Sequence, residues 1–225
     1  MRHGKTNYTG TFPDLTDEGT HQVRTEGLEQ VRRWMAEHSI APEMLSIVSS
    51  PAPRAHGTAS IIKDGIGHTR EIILTHEIEP LRWKKPERCA EVIREMSGYI
   101  NLESEPRFAD SSLFEPLHEV HKRWSTYITS SVEKAMRTEV SANQILVAHY
   151  ETFCGIVSSL FGIPPVKESE LQHVEGIELR IFRDSDAQYV VQGSFRGKTA
   201  LGTIKNDGVW EPSKYLHLPE HHLPA

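Results

Sequence analysis

Leu45-Ser46-Ile47-Val48-Ser49-Ser50-Pro51-Ala52-Pro53-Arg54-Ala55-His56-Gly57-Thr58-Ala59 runs from a short apolar stretch, through a Ser- and Pro-rich turn, into a segment of helical character. An apolar run closed by turn residues reads as a buried strand, so the spacing predicts a strand over 45–48 and a helix over 54–63. The same order recurs at 144–161, where Gln144-Ile145-Leu146-Val147-Ala148 reads as a buried strand and Glu151 to Phe161 as a helix. Between them a strand is predicted at 72–74, after the Gly65–Gly67 loop, and a helix at 86–96. A longer helix is marked by Leu113, Leu117, Val120, Trp124, Ile128 and Ala135, with Trp124 and Tyr127 packing it. Upstream, Val23, Leu28, Val31, Trp34 and Met35 recur at helical offsets after Gly19. Downstream, 177–182 and 189–195 read as paired strands around a polar turn at 183–187. The stretches 98–112 and 212–225 read as irregular. Strands alternating with helices indicate an α/β fold: three layers, α/β/α, around a mostly parallel central sheet, in one domain over 1–225.

The 225 residues carry 25 Lys and Arg against 31 Asp and Glu, a formal charge of -6, which argues against affinity for nucleic acid or anionic membranes driven by net charge. The cysteines, Cys89 and Cys154, are too few for a disulfide framework and read as buried thiols. No stretch approaches the ~18 apolar residues of a membrane span, and Arg2-His3 opens the chain without an apolar signal core, so a cytoplasmic protein is expected. Asn7-Tyr8-Thr9 therefore does not read as a glycosylation site.

An Arg that leaves a strand end toward a helix N-terminus stands where anions bind, because unpaired backbone N–H groups and the helix dipole favour negative charge. Arg54 has that placement, and His149 leaves the 144–148 strand in the same way. Arg2-His3-Gly4-Lys5-Thr6 adds a histidine able to act as a covalent nucleophile, an arginine able to hold a dianion and a glycine that lets backbone approach. Arg, His, Arg and His delivered to one sheet edge make a coherent phosphate pocket.

With Leu15-Thr16-Asp17-Glu18-Gly19-Thr20-His21-Gln22 between them, these motifs stand in an order that resembles the histidine phosphatase superfamily, the phosphoglycerate-mutase-like fold, up to about Phe195. The resemblance implies a metal-independent phosphomonoester hydrolase with no cofactor. His3 would be the phosphorylated nucleophile, with Arg2, Arg54 and His149 completing the pocket and Thr6 approaching the same phosphate. Two arginines and a protonatable His149 suit a transition state that spreads charge over equatorial oxygens. A carboxyl group must then protonate the leaving oxygen and later activate water. By resemblance it follows the strand at 72–74, where Glu77 and Glu79 are both candidates and Glu77 is preferred. The segment at about 83–138 would cover the pocket and select a phosphorylated small molecule or phosphoprotein.

The family usually runs an apolar strand directly into its Arg-His-Gly, and none precedes Arg2. That absence implies a native start upstream of Met1, or else a His3 on a mobile terminus and impaired activity. Tyr150 stands where the family usually has Gly, which would narrow the pocket. The Trp-Asn pair of the mutases is absent, which favours a hydrolase over a mutase-type phosphotransferase. A silent member that binds phospho-ligands is the other alternative. His217, His221 and His222 read as a solvated tail rather than a metal site, and Gly65-Ile66-Gly67 lacks the third glycine of a dinucleotide fingerprint. His56 and His76 lie near the proposed pocket, and Lys84, Lys85, Arg88 and Arg107 would extend its positive field or form a solvated face.

Overall fold

The strand read at 45–48 forms as β1 (Leu45–Ser49), and the helix that follows it spans Pro53–Gly65 (α3). Both belong to a computed structural model that describes residues 1–7, 13–95, 106–138, 142–163, 171–183, 188–204 and 210–212. The Asn7-Tyr8-Thr9 triplet beyond Asn7, most of the irregular stretch at 98–112, the turn at 184–187 and the tail with His217, His221 and His222 lie outside the described residues.

β1 pairs in parallel with β2 (Ile73–Leu74) on one side and β3 (Asn143–Val147) on the other. Side chains alternate across this sheet. Leu45, Ile47, Ile145 and Val147 face one cluster, shared with Val23, Leu28 and Val31 and with Ala55, Ala59 and Ile62 of α3. Val48, Leu146 and Ala148 face another, built on Trp124, Phe153, Ile156 and Leu160. Burial on both faces is what the apolar runs of β1 and β3 require.

Met1, Arg2 and His3 are held in the sheet by backbone hydrogen bonds. The Ala148 N–H donates to the Met1 carbonyl at 3.1 Å and the His3 N–H to the Ala148 carbonyl at 3.1 Å, so Met1–His3 continues the sheet beside the end of β3. Its other edge is held as well, with the Arg2 N–H on the Glu175 carbonyl at 3.0 Å. The expectation of a loose terminus is thus corrected: His3 is 1% exposed.

The first helical segment begins earlier than the apolar pattern shows, at Asp17, because the Thr16 hydroxyl accepts the Gly19 N–H at 2.9 Å and Asp17 and Glu18 occupy the first turn. It runs as α1 (Asp17–Gln22), a π turn (Val23–Gly27) and α2 (Leu28–Glu37). Downstream come α4 (Pro86–Glu95), α5 (Leu117–Thr138) and α6 (Tyr150–Phe161). Leu113 precedes α5, and Trp124 and Tyr127 pack it as foreseen.

The late hairpin extends into a four-stranded antiparallel sheet, β4 (Glu178–Arg183), β5 (Tyr189–Phe195), β6 (Lys198–Ile204) and β7 (Trp210–Pro212). It joins none of the parallel strands among the described residues. Val191, Ile204 and Trp210 pack instead with Leu160 and Trp124, and the Trp210 indole N–H donates to the Ser125 hydroxyl at 2.7 Å. β6 opens on Lys198-Thr199 and interrupts its apolar residues with Gly202 and Thr203, and β7 has only three residues, so neither shows an apolar run in the sequence.

Gly4 and Gly19 fix how the N-terminal loop lies on α1. A Cβ on Gly19 would fall on the Lys5 carbonyl oxygen and 2.8 Å from the Lys5 nitrogen, and one on Gly4 would stand 2.7 Å from Val23 Cγ2. Backbone therefore rests on backbone directly beneath His3. Gly19→Ala is expected to destabilise the protein by about 1–3 kcal/mol, the range for overpacking, measured by urea denaturation. An unchanged midpoint would contradict this close approach.

Candidate active site

The N-terminal segment and the ends of β1 and β3 bring Arg2, His3, Arg54 and His149 together, all buried. His3 Nδ1 lies 2.7 Å from the Gly4 carbonyl oxygen, a contact that requires the ring proton on Nδ1. Nε2 is then the unprotonated nitrogen, and it accepts the Arg54 Nε–H at 3.1 Å. Burial, then the adjacent Arg54, holds the His3 pKa well below the usual histidine range. The ring is therefore a neutral imidazole with its lone pair oriented toward the guanidinium.

His149 lies across from it, ring centroids 5.1 Å apart. Its Nε2 is 3.0 Å from the Ser50 hydroxyl, which itself accepts the Ala52 N–H and so is free to donate. Its Nδ1 is buried with no hydrogen-bond partner. Burial, followed by Arg54 and His3, pushes its pKa well down as well. The protonatable His149 of the sequence reading is thus a neutral imidazole in the free protein, buried beside two arginines. Arg54 lies in the first turn of α3, and His149 is the N-cap of α6, so two helix N-termini start at the cluster.

Arg2 is steered from behind. One Nη donates to the Leu171 carbonyl, the other lies 3.3 Å from His173 Nε2, and the guanidinium sits 5.3 Å from the centre of the Tyr150 ring. Tyr150 thus acts on Arg2 as a cation–π platform. His173, with its ring 5.8 Å from that of His3, and the fully buried Glu151 are members of the cluster that the sequence did not reveal. Burial, then Arg2, lowers the His173 pKa to about 3. Desolvation raises that of Glu151, against the pull of Arg54 and Arg2. The strand-to-helix pattern marked position 149 and could have flagged Glu151 two residues on. No local pattern marks 173.

Thr6 is buried, but its hydroxyl donates to the Asp14 carbonyl at 2.7 Å and serves the loop. Glu77 and Glu79 lie in and just after a short 3-10 turn (His76–Ile78), where the Thr75 N–H bonds the Ser49 carbonyl at the end of β1. Both carboxylates are engaged within that loop. Glu77 accepts the Thr75 hydroxyl, and Glu79 meets His76 at 2.7 Å and Arg82 at 3.3 Å. That hydroxyl is the main reason the Glu77 pKa lies below its usual value. His56 is exposed. Arg88 and Arg107 pair with Glu91 and Glu95 at the surface, and the Lys84 ammonium donates to the Ser111 carbonyl. Cys89 and Cys154 are both buried and are not joined in a disulfide.

A family model, the histidine phosphatase superfamily (branch 1), matches residues 1–193. The chain belongs to this superfamily. No curated protein matches the sequence. Among solved structures, a mycobacterial hydrolase (mycobacterial hydrolase 1) is similar at 16% identity and TM-score 0.60, over 88% of this chain and 97% of the other. A mycobacterial glucosyl-3-phosphoglycerate phosphatase is similar at 18% identity and TM-score 0.52, over 89% and 93%. Phosphoglycerate mutase from Bacillus anthracis str. Sterne is similar at 13% and 0.52, over 94% and 88%. These likenesses establish the phosphoglycerate-mutase-like α/β fold. Among the described residues no helix is long and apolar enough to cross a membrane, and no group of His, Cys, Asp and Glu could hold a metal ion.

For a histidine phosphatase superfamily member, buried neutral histidines carry a stability signature. With folded pKa values below 6.5, His3 and His149 take up protons more readily in the unfolded chain. Their contribution is complete above pH 6.5 and is lost as pH falls below it, by up to about 1.4 kcal/mol per pH unit for each group. Glu151 shifts in the opposite sense, so the histidine part is read as a difference. Between pH 7 and 5 the wild-type stability is expected to fall more steeply than that of His149→Gln, by urea denaturation at each pH. Parallel profiles would contradict a neutral His149.

Proposed function

We propose that the protein is a metal-independent phosphomonoesterase that works through phosphohistidine on His3. The observation that carries this reading is the tautomer: Nδ1 is held by the Gly4 carbonyl, so Nε2 presents its lone pair among two buried arginines. In this mechanism the phosphate of a monoester displaces the Arg54 contact, and Arg54, Arg2 and His149 Nδ1 bind its oxygens. An arriving dianion favours protonation of His149, reversing the cost of its burial. Nε2 attacks phosphorus in line, and the P–O bond to the leaving group breaks as that oxygen takes a proton. Water then attacks the phosphohistidine, giving inorganic phosphate and restoring Nε2.

Glu77 is the proton donor and later the base. We favour it over Glu79 because Glu79 is held between His76 and Arg82, whereas Glu77 is exposed and its carboxylate is held by the Thr75 hydroxyl and its own backbone N–H rather than by an ion pair with Arg82. In the free protein Glu77 is ionised. A proton reaches it when the negative phosphate raises its pKa. Substrate selection falls to the helical segment at 83–138, and the substrate is a phosphorylated small molecule or phosphoprotein. The glucosyl-3-phosphoglycerate phosphatase it resembles acts on a phosphorylated small molecule, which supports the first class.

Hydrolysis of 4-nitrophenyl phosphate in the presence of chelator is expected for the wild type and abolished in His3→Ala, and acid quench of the wild type with labelled substrate should trap an acid-labile phosphoenzyme. Equal activity in the two proteins would refute the mechanism. With an alkyl phosphate, Glu77→Gln is expected to lower kcat/KM by about 10²-fold or more, the usual contribution of a general acid. Glu79→Gln is expected to cost less than about threefold. The reverse ranking would move the acid to Glu79.

A further inference from the structure

Glu77 is carried by a loop that has almost no regular secondary structure of its own, yet charged side chains of other elements bond its backbone from Glu77 to Arg82. Arg123, on α5, makes the principal contacts. Its Nη1 lies 2.9 Å from the Glu77 carbonyl oxygen and 3.1 Å from that of His76, and its Nη2 lies 3.4 Å from that of Pro80. Those carbonyls end the 3-10 turn, where a cation is favoured. The other side of the same guanidinium makes a bidentate pair with Glu115, Nε to Oε1 at 2.9 Å and Nη2 to Oε2 at 2.7 Å, with both side chains largely buried.

Glu115 also reaches the loop directly. Its Oε2 accepts the Arg82 N–H at 3.2 Å, and its own N–H donates to the Arg82 carbonyl at 2.9 Å. From the pocket side, Glu151 Oε1 accepts the Leu81 N–H at 3.3 Å. Ile78 and Leu81 anchor the loop in the core beneath these bonds. Arg123 is itself fixed, since its neighbours Val120 and Trp124 on α5 are buried in the same cluster.

We propose that the Arg123–Glu115 pair is a positioning device for the general acid: it fixes the 76–82 backbone so that the Glu77 carboxyl meets the leaving oxygen. This rests on the reading of Glu77 given above. A guanidinium suits the task because its planar fork can bond several carbonyls and one carboxylate together, which a lysine ammonium cannot do in the same geometry. A purely structural clamp would affect all substrates equally. A clamp that orients an acid must matter most where the leaving group needs a proton.

The test compares wild type, Arg123→Lys and the neutral double variant Arg123→Gln/Glu115→Gln, the latter avoiding a buried unpaired charge. Amide hydrogen exchange is followed across the whole protein, and kcat/KM is measured for an alkyl phosphate and for 4-nitrophenyl phosphate, whose phenolate departs with little need of a proton. Exchange is expected to quicken over 75–84 and not over β1 or α3, and the alkyl-to-aryl ratio to fall about tenfold or more. Adding Arg123→Lys to Glu77→Gln should bring little further loss for the alkyl ester, as for two residues acting as one unit. Unchanged exchange over 75–84 overturns the clamp. Faster exchange with an unchanged ratio overturns its role in positioning the acid. Absence of any turnover that depends on His3 refutes the phosphatase reading instead, and the exchange measurement alone then decides the clamp.

Discussion

Two guanidinium groups, of Arg2 and Arg54, are buried at one end of a three-stranded parallel sheet, and the surrounding structure is arranged to make that burial tolerable. A charge removed from water must find hydrogen bonds or opposite charge. Arg2 finds a carbonyl, a histidine and an aromatic face, while Arg54 donates to the very nitrogen that would attack phosphorus. The three histidines answer in the same way, each with its pKa depressed, so none adds to the positive charge until an anion enters. Nearby, Glu151 offers a carboxyl whose own ionisation is opposed by burial. A phosphate dianion matches such a cluster, because it supplies the negative charge that the protein withholds.

How these groups are held explains the order of the motifs along the chain. The pocket lies where β1 and β3 give way to helices and where Met1–His3 lies between β3 and residues 174–175. Gly4 and Gly19 let the loop after His3 settle on α1, which keeps the Gly4 carbonyl where it sets the His3 tautomer. Backbone contacts thus determine which imidazole nitrogen of His3 carries the proton. The same economy holds in the loop that carries Glu77 and Glu79, whose backbone is fixed from α5, α6 and Glu115.

Much of this was legible in sequence because it is written locally. β1, β3 and the helices after them show as apolar runs closed by turn residues, and Arg54 and His149 fall at the changes of pattern, so the parallel sheet and its charged edge could be read. Thr16, three residues before Gly19, carried the start of α1 as a capping signal that the apolar spacing alone placed too late. What could not be read depends on tertiary approach. His173 belongs to a segment with no periodicity and joins the cluster because the adjacent residues, Val174 and Glu175, bond the backbone of His3 and Arg2. The neutrality of His149 comes first from its burial in the folded domain and then from Arg54, remote in sequence, and Tyr150 meets Arg2 only through the tertiary fold. β6 and β7 form because α6 and Trp124 offer them an apolar face.

The sequence distances inside the pocket set an order of assembly. His149 bonds Ser50 across 99 positions, Arg54 bonds His3 across 51, and Arg2 meets His173 across 171. Closing loops of that length is entropically costly and slow, whereas β5 and β6 turn directly through Arg196 and Gly197 and pair with their nearest neighbours in the chain. On the ribosome, then, an emerging chain holds His3 and Arg54 long before it holds the residues that make them a binding site. On the proposed reading, phosphate needs Arg2, Arg54 and His149 together, which would make the anion a late stabiliser of the finished domain rather than a template for its early stages.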